Sequence, residues 1–428
     1  MEGSEAGMTA GTSHERRRSA LLALRRGLTC TLTLVCAWAI GVVGMAPVAV
    51  AADMRAKQWY LDAMHAEEVW KSATGEGIKV AVIDSGVNPS TPSLKGQVLK
   101  GFDATDAPGE ATDDYNGHGT TMAELIAGTG EGGGLRGLAP GAEIIPVRVA
   151  DGAFAGKHKV NAWDEAAAIR AAADSDARVI NMSWGTAFMT PREQEAVKYA
   201  ESKGKLFFAP VGNSAKKGNK PEYPASYREV VGVGASDRDG QVADYSQHGD
   251  FVDITAPGND IPRWCNASFK SYCDGDGGTS AATAIASASA ALIWSAHPDW
   301  TANQVLRVMF ESAARAEGSK EGTLSNYLGH GIVRPGAHIN RGLGKPGDPN
   351  ISPLTNKKTA GSSASPAPSA PASSQAPNGN GSDQAAVAGS SEKVEDDSQL
   401  GLIIGGIAAV IVLAGGAFAV VRRRRAAQ

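Results

Sequence analysis

The sequence predicts an α/β fold with a mostly parallel central sheet covered by helices on both faces. From residue 78 onward, short apolar runs rich in β-branched residues alternate with stretches that have a helical pattern. Continuous apolar runs are typical of strands buried on both faces, and their alternation with helices is typical of parallel sheets. At 428 residues the chain is longer than one compact domain usually needs, so we expect further segments on either side.

The first segment has the pattern of a secretory signal peptide. Five arginines between residues 16 and 26 precede an apolar run at 28–44, and Ala49-Val50-Ala51 then forms a small-x-small cleavage pattern. We therefore predict that residues 1–51 are a signal peptide. An uncleaved membrane anchor is the alternative.

A short N-terminal extension, residues 52–77, is expected to follow the signal peptide. Gln58-Trp59-Tyr60-Leu61 suggests an extended piece, and the residues after it suggest a helix ending near Gly75. The extension is too short to fold independently as a prodomain.

The main domain is predicted to cover residues 78–342. The expected strands lie at 79–83, 143–149, 178–183, 206–211, 230–235 and 251–256. The expected helices lie at 118–127, 161–174, 192–203, 280–296 and 301–314. In open parallel sheets the functional site lies at the carboxyl ends of the strands, so the residues that follow the strands are the candidates for chemistry.

The last part of the chain is predicted to tether this domain to a membrane. Residues 343–399 are rich in Pro, Ser, Ala, Gly and Asn and have few large apolar side chains, which is typical of a disordered linker. Residues 400–421 carry no charge and are long enough to span a bilayer as a helix. The basic tail, 422–428, begins with four arginines and should stay in the cytoplasm, which places the main domain outside.

Nucleic acid is not an expected partner. An arginine run can bind nucleic acid, but its position directly after an apolar span favours a stop-transfer role. The formal net charge of the whole chain is −4, so no strong basic field is present.

An acid and a histidine are the first candidates for catalysis. Asp84 ends the apolar run Val80–Ile83, where a carboxylate is costly unless it is paired. His118 lies between two glycines at the start of a predicted helix. A capping role for Asp84 is the structural alternative, and a metal site at His118 is disfavoured because no second His or Cys lies nearby in sequence.

An amide and a serine complete the candidate set. Asn213 follows another apolar strand and could either donate to an oxyanion or stabilise its own turn. Ser280, in Gly278-Thr279-Ser280, opens an Ala-rich helix, whose free N–H groups favour negative charge. A capping serine in a glycine-rich turn is the alternative interpretation of that stretch.

Taken together, these motifs resemble those of subtilisin-like serine proteases. The matching stretches, in the family's order of acid, histidine and serine, are Ile83-Asp84-Ser85-Gly86, Asn116-Gly117-His118-Gly119-Thr120, Val211-Gly212-Asn213 and Gly278-Thr279-Ser280-Ala281-Ala282. The resemblance implies a three-layer subtilisin-like fold, a triad of Asp84, His118 and Ser280, and Asn213 as an oxyanion donor. It also implies a pocket for the residue before the cut, formed by Ser183, Trp184, Gly185, Ala209, Pro210, Val211 and Gly212.

Some positions depart from the family pattern. Thr121 stands where many members have a second histidine, Ala284 stands where most have proline, and Pro210-Val211 replaces a smaller pair. None of these changes removes a reacting group, but the change in the pocket leaves the preferred substrate side chain open.

The order of segments resembles that of the mycosins, which are membrane-anchored subtilases of type VII secretion systems. That resemblance implies an extension that wraps the domain without acting as a removable inhibitor. It also implies protein or peptide substrates and partners in a membrane-spanning secretion complex. Two rival functions stay open: a subtilase-fold scaffold that cleaves little, and an inactive display domain on a stalk.

Cys265 and Cys273 are expected to form a disulfide because the main domain is predicted to lie in an oxidising exterior. No cofactor is expected to be required, and no metal site is predicted. Structural calcium is common in subtilases, but its site cannot be placed here. Asp274-Gly275-Asp276-Gly277 resembles the start of a calcium loop, yet the remaining ligand positions are not acidic.

Overall fold

The structure is a computed structural model that describes residues 54–159, 165–275, 277–315 and 323–359. The predicted signal peptide, membrane-spanning helix and basic tail lie outside the described residues, as does the predicted linker beyond residue 359.

A seven-stranded parallel sheet forms the centre of the domain, which confirms the predicted fold class. Its strands are β1 (Lys79–Asp84), β2 (Phe102–Asp103), β3 (Glu143–Arg148), β4 (Val179–Met182), β5 (Leu206–Pro210), β6 (Val231–Ser236) and β7 (Ile254–Pro257). The strand order is β2-β3-β1-β4-β5-β6-β7. In the register of the central strands, Val80 lies opposite Ile144 of β3 and Val179 of β4.

Helices cover both faces of the sheet. They are α1 (Trp59–Ala63), α2 (Ala66–Val69), α3 (His118–Ala127), α4 (Gly152–His158), α5 (Glu165–Asp174), α6 (Pro191–Ser202), α7 (Thr279–Ala296), α8 (Ala302–Ser312) and α9 (Pro335–Ile339). Because side chains alternate along a strand, Val80 and Val82 join the apolar core shared with α3, α7 and α8. Ala81 and Ile83 join the opposite core, shared with α5 and α6.

Helix α7 is the central helix of the first of these cores. Its small side chains let it lie close to the sheet, and every residue from Ala281 to Trp294 is buried. Among the described residues, α7 alone has the length and mean hydropathy, 1.2, that could cross a membrane. Since 83% of that stretch is buried inside the protein, α7 is a core helix.

The N-terminal extension differs from its predicted form. A 3-10 turn at Met54–Lys57 leads into α1 and α2, so the expected extended piece at residues 58–61 is wrong. Tyr60 and Leu61 are completely buried, and Trp70 donates from its indole N–H to the carbonyl of Leu138, 2.8 Å away. Docking against the domain overrides the strand preference of these aromatic residues.

The ordered domain also extends past the predicted start of the linker. Residues 343–359 lie along α8, where Asn303 donates to the carbonyl of Pro349 (2.9 Å) and Arg307 to that of Ile351 (3.1 Å). Leu354 packs against the core. Composition alone predicts disorder here, because it does not show that polar side chains of α8 can bind the backbone of this segment.

The short edge strand β2 was not predicted from the sequence, and three further short elements were not predicted either. Two of them are helices α4 and α9. The third is an antiparallel hairpin of β8 (Arg263–Trp264) and β9 (Tyr272–Cys273), which lies apart from the main sheet.

Candidate functional site

The end of β1 meets the start of α3, and this contact pairs an acid with a histidine. The Nδ1 atom of His118 lies 2.8 Å from Oδ1 and 3.0 Å from Oδ2 of Asp84. Close approach of the two elements requires glycine at position 119, since a Cβ atom there would lie 2.1 Å from the carbonyl oxygen of Gly86. The Asp84 side chain is only 3% exposed, so its charge is held away from water.

The protonation of His118 depends on this pair. Burial by itself lowers the pKa of His118, but the carboxylate of Asp84 raises it by its charge and by the hydrogen bond, and the net result is a raised pKa. In the neutral ring the proton lies on Nδ1, facing the carboxylate. Nε2 is then free to accept a proton, as a general base must.

A second buried carboxylate fixes the position of His118. One oxygen of Asp114 accepts hydrogen bonds from the Ser85 hydroxyl and the Gly117 N–H, both at 2.8 Å. The other accepts from the N–H (2.9 Å) and the hydroxyl of Thr120. Asp114 thus joins the end of β1 to the first turn of α3. Sequence reasoning missed this role, although the run of polar residues around Asn116 contained the signal.

The candidate nucleophile is the second residue of α7. The hydroxyl of Ser280 donates to the carbonyl of Ser183 at 2.8 Å. Although Ser280 and His118 are both among the described residues, no hydrogen bond joins them. Catalytic hydrogen bonds are often long without a substrate, so this arrangement does not exclude the pair. The bond to Ser183 brings the segment after β4 directly beside the serine.

The side-chain amide of Asn213 is oriented by the start of α7. Its Oδ1 accepts from the N–H of Thr279 at 2.9 Å and from the hydroxyl of Thr279 at 3.0 Å. Because an N–H can donate only to the oxygen, the NH₂ group points away from Thr279. Among the described residues that NH₂ group has no hydrogen-bond acceptor, so it remains available as a donor beside Ser280.

The predicted pocket residues divide into two groups. Ser183, Trp184 and Gly185 follow β4, and Trp184 and Gly185 are partly exposed. Ala209, Pro210 and Val211 are buried at the end of β5. Ala209 and Val211 pack into the apolar core of α5 and α6, so their side chains face the core. Gly212 has φ 105°, which favours glycine.

The hairpin β8–β9 covers α3 near His118. Cys265 and Cys273 form a disulfide, with Cα atoms 5.1 Å apart. Tyr272 stacks on Trp264 and donates to the buried carboxyl of Glu124 on α3 at 2.7 Å. Burial raises the pKa of Glu124 to about 7. The hairpin thus packs on the same helix that begins with His118.

Metal ligands do not cluster in the described part of the chain. No group of three or more His, Cys, Asp or Glu side chains there could hold a metal ion. Asp276, in the stretch that resembles a calcium loop, lies outside the described residues.

The fold and the site together point to the serine hydrolases that use an acid, a histidine and a serine. The sequence profile of the subtilase family matches residues 75–331, which is more than half of the chain. The chain therefore belongs to the subtilase family, as its motifs predicted. A second profile, described as Alphavirus glycoprotein J, matches residues 339–428, most of which lie outside the described residues.

Individual relatives agree with this family. A thermophilic serine proteinase from Bacillus sp. (strain AK1) is 38% identical over 213 residues, which is 49% of this chain and 51% of that protein. Subtilisin Savinase from Lederbergia lenta is 33% identical over 264 residues, covering 61% of this chain and 91% of that protein. The chain thus spans about half the length of the first relative and most of the second.

The solved structures resembling this chain include a protease of a secretion system. The MycP3 protease from the type VII (ESX-3) secretion system superimposes with a TM-score of 0.56 at 29% identity. The match covers 69% of this chain and 90% of that one. This relationship agrees with the mycosin-like order of segments in the sequence.

Proposed function

We propose that the chain is a serine endopeptidase that hydrolyses peptide bonds in secreted proteins. The observation that carries the proposal is the hydrogen bond of His118 to the buried Asp84, at the same edge of the sheet as Ser280. Membership of the subtilase family supports the same chemistry.

The proposed reaction begins at the hydroxyl of Ser280. His118 takes its proton through Nε2, and Asp84 stabilises the resulting imidazolium while holding the ring in place. The serine oxygen attacks the substrate carbonyl, and the tetrahedral oxyanion accepts hydrogen bonds from the Asn213 amide and the Ser280 N–H. His118 then protonates the leaving amine, and water releases the acyl group by the same steps in reverse.

The serine must release its resting hydrogen bond before it can react. In the structure the Ser280 hydroxyl donates to the Ser183 carbonyl, so the hydroxyl has to rotate away from that oxygen before its proton can pass to His118. We propose that an incoming substrate drives this rotation by occupying the pocket beside Ser183.

We propose further that the domain acts outside the cell, on a single-pass membrane anchor, next to a type VII secretion complex. The sequence supports this topology through the apolar span at 400–421 and the arginines after it. The similarity to the MycP3 protease from a type VII system supports the secretion role.

The rival function is a scaffold that stabilises the secretion complex and cleaves little. The docked N-terminal extension is compatible with either role, since it adds an ordered surface to the domain. A comparison of wild type with Ser280→Ala separates the two functions.

The experiment measures peptide cleavage and secretion in the same cells. If the protein is an endopeptidase, wild type cleaves peptides and Ser280→Ala does not, while both fold equally well. If wild type cleaves nothing and the Ser280→Ala variant restores secretion fully, the scaffold function is correct and the protease proposal fails. Ser287→Ala, on a buried turn of the same helix, provides a matched serine control.

A further inference from the structure

Glu222 lies against both walls of the predicted substrate pocket. A Cβ atom built on Gly185 would lie 3.1 Å from Oε2 of Glu222. One built on Gly212 would lie 2.7 Å from the carboxyl carbon of the same residue. The carboxyl group therefore occupies the space between the segment after β4 and the segment after β5, where glycine leaves room for it.

The backbone around Glu222 is firmly held. Thr186 and Tyr223 form an antiparallel bridge, in which each N–H donates to the carbonyl of the other at 2.8 and 2.7 Å. The hydroxyl of Ser226 donates to the Glu222 carbonyl at 2.8 Å. Since these bonds fix the backbone at Glu222 and on its C-terminal side, the acidic side chain starts from a fixed position in the pocket wall.

The carboxylate of Glu222 has no cation partner in the part of the chain that the structure describes. Throughout the described residues, no hydrogen bond or ion pair ends on its oxygens, although the residue is half-buried. Burial raises the pKa of Glu222, and no positive group among the described residues lowers it. A partly desolvated acid without a partner is costly, and a positively charged group entering the pocket would offset that cost.

The reacting groups lie directly beside the same two segments. Ser280 donates to Ser183, two residues before Gly185, and Asn213 follows Gly212. A substrate whose carbonyl reaches Ser280 and Asn213 thus has its preceding side chain next to the walls that Glu222 contacts.

We propose that Glu222 selects substrates with lysine or arginine immediately before the cleaved bond. This inference rests on the proposed peptidase function and names the substrate class that the same site takes. A carboxylate in the pocket wall pairs with an ammonium or guanidinium group, while a neutral side chain leaves it unpaired. Acidic side chains are repelled.

The test compares substrates that match in shape and differ in charge. Fluorogenic peptides identical except for the residue before the cut carry arginine, citrulline, lysine or norleucine. We expect kcat/KM for arginine over citrulline, and for lysine over norleucine, to be at least 10-fold, or about 1.4 kcal/mol. These ratios need only the wild-type protein, so they hold whether or not a variant folds.

The variant Glu222→Gln keeps the shape and removes the charge. We expect it to bring both ratios close to one by lowering kcat/KM for the charged substrates while the neutral ones keep theirs. Glu195→Gln, an exposed glutamate on α6, is the matched control and should leave both ratios unchanged. Ratios near one in wild type, or unchanged ratios in Glu222→Gln, overturn the assignment.

Binding of benzamidine separates this inference from the peptidase proposal. Its amidinium group should bind wild type and Ser280→Ala equally, and Glu222→Gln at least 10-fold more weakly, as measured by calorimetry. If no peptide is cleaved but this pattern holds, the peptidase proposal fails and the cation pocket stands. If benzamidine binding does not depend on residue 222, the cation pocket fails even where peptides are cleaved.

Discussion

The Asn213 amide allows the oxyanion contribution to be measured separately from stability. In the structure its oxygen accepts from Thr279, and its NH₂ group has no acceptor among the described residues. Asn213→Ala removes both the acceptor for Thr279 and the NH₂ donor for the oxyanion. Loss of one oxyanion donor should lower kcat by about 10²–10³, or about 3 to 4 kcal/mol of barrier, with KM little changed, because the donor acts only in the transition state.

The same substitution should lower stability slightly, because the N–H of Thr279 loses its acceptor. That loss costs about 1 kcal/mol, measured by urea unfolding. Asn213→Asp retains an acceptor for Thr279 but places negative charge at the oxyanion, so it should preserve stability and lose as much kcat as alanine. If Asn213→Ala keeps its full kcat on peptide substrates, the oxyanion role of this residue is refuted.

Three further results follow from the geometry. Because the pKa of His118 is raised above its usual 6.5, kcat/KM should fall as pH drops through a value above 6.5, and a pH–rate profile with its midpoint below 6.5 would contradict this. The raised pKa of Glu124, about 7, means that the folded protein holds a proton that the unfolded chain releases near 4.5, so stability should fall by up to about 3 kcal/mol as pH rises from 4.5 to 7. Glu124→Gln should remove this part of the pH dependence in urea unfolding, and an unchanged dependence would argue against it. Leu61→Ala should lower the free energy of unfolding by about 2–5 kcal/mol, since Leu61 is completely buried, and a change below 0.5 kcal/mol would mean that the extension is not part of the folding unit.

The strands and helices of the main domain could be predicted because their patterns are long and strong. The start of α3 at His118 agrees with its prediction, and α7 begins one residue before the predicted position. Their glycine-rich starts and apolar interiors leave few alternatives. The parallel sheet followed from the same alternation, since strands such as β1 are apolar on both faces.

The elements that could not be predicted depend on contacts between distant residues. The residues around Trp59 have strand preference, but burial of Tyr60 and Leu61 against the domain turns them into helix. The segment around Pro349 looks disordered by composition, yet Asn303 of α8 binds its backbone. Neither partner can be identified from local sequence.

At the candidate site, too, local sequence predicts some residues, while others are brought into place only by contacts between distant parts of the chain. Family motifs predicted Asp84, His118 and Ser280 as candidates, because a glycine lies within two residues of each, where a predicted strand ends or a predicted helix begins. The motifs did not identify Asp114 as the residue that holds the start of α3 to the segment after β1. The five groups that donate to its carboxylate, which belong to Ser85 and to residues 116–120, are brought together only by the fold. The motifs also did not identify Glu222, because it is separated in sequence from both glycines that it contacts.

The proposed chemistry requires that His118 activates Ser280 as a nucleophile. The most direct measurement is labelling with a fluorophosphonate, with the adduct located by mass spectrometry of tryptic peptides. We expect a single adduct on Ser280 in wild type, none in Ser280→Ala, and labelling slowed by orders of magnitude in His118→Ala. Absence of an adduct on folded wild-type protein, or equal labelling rates with and without His118, would contradict these roles of Ser280 and His118.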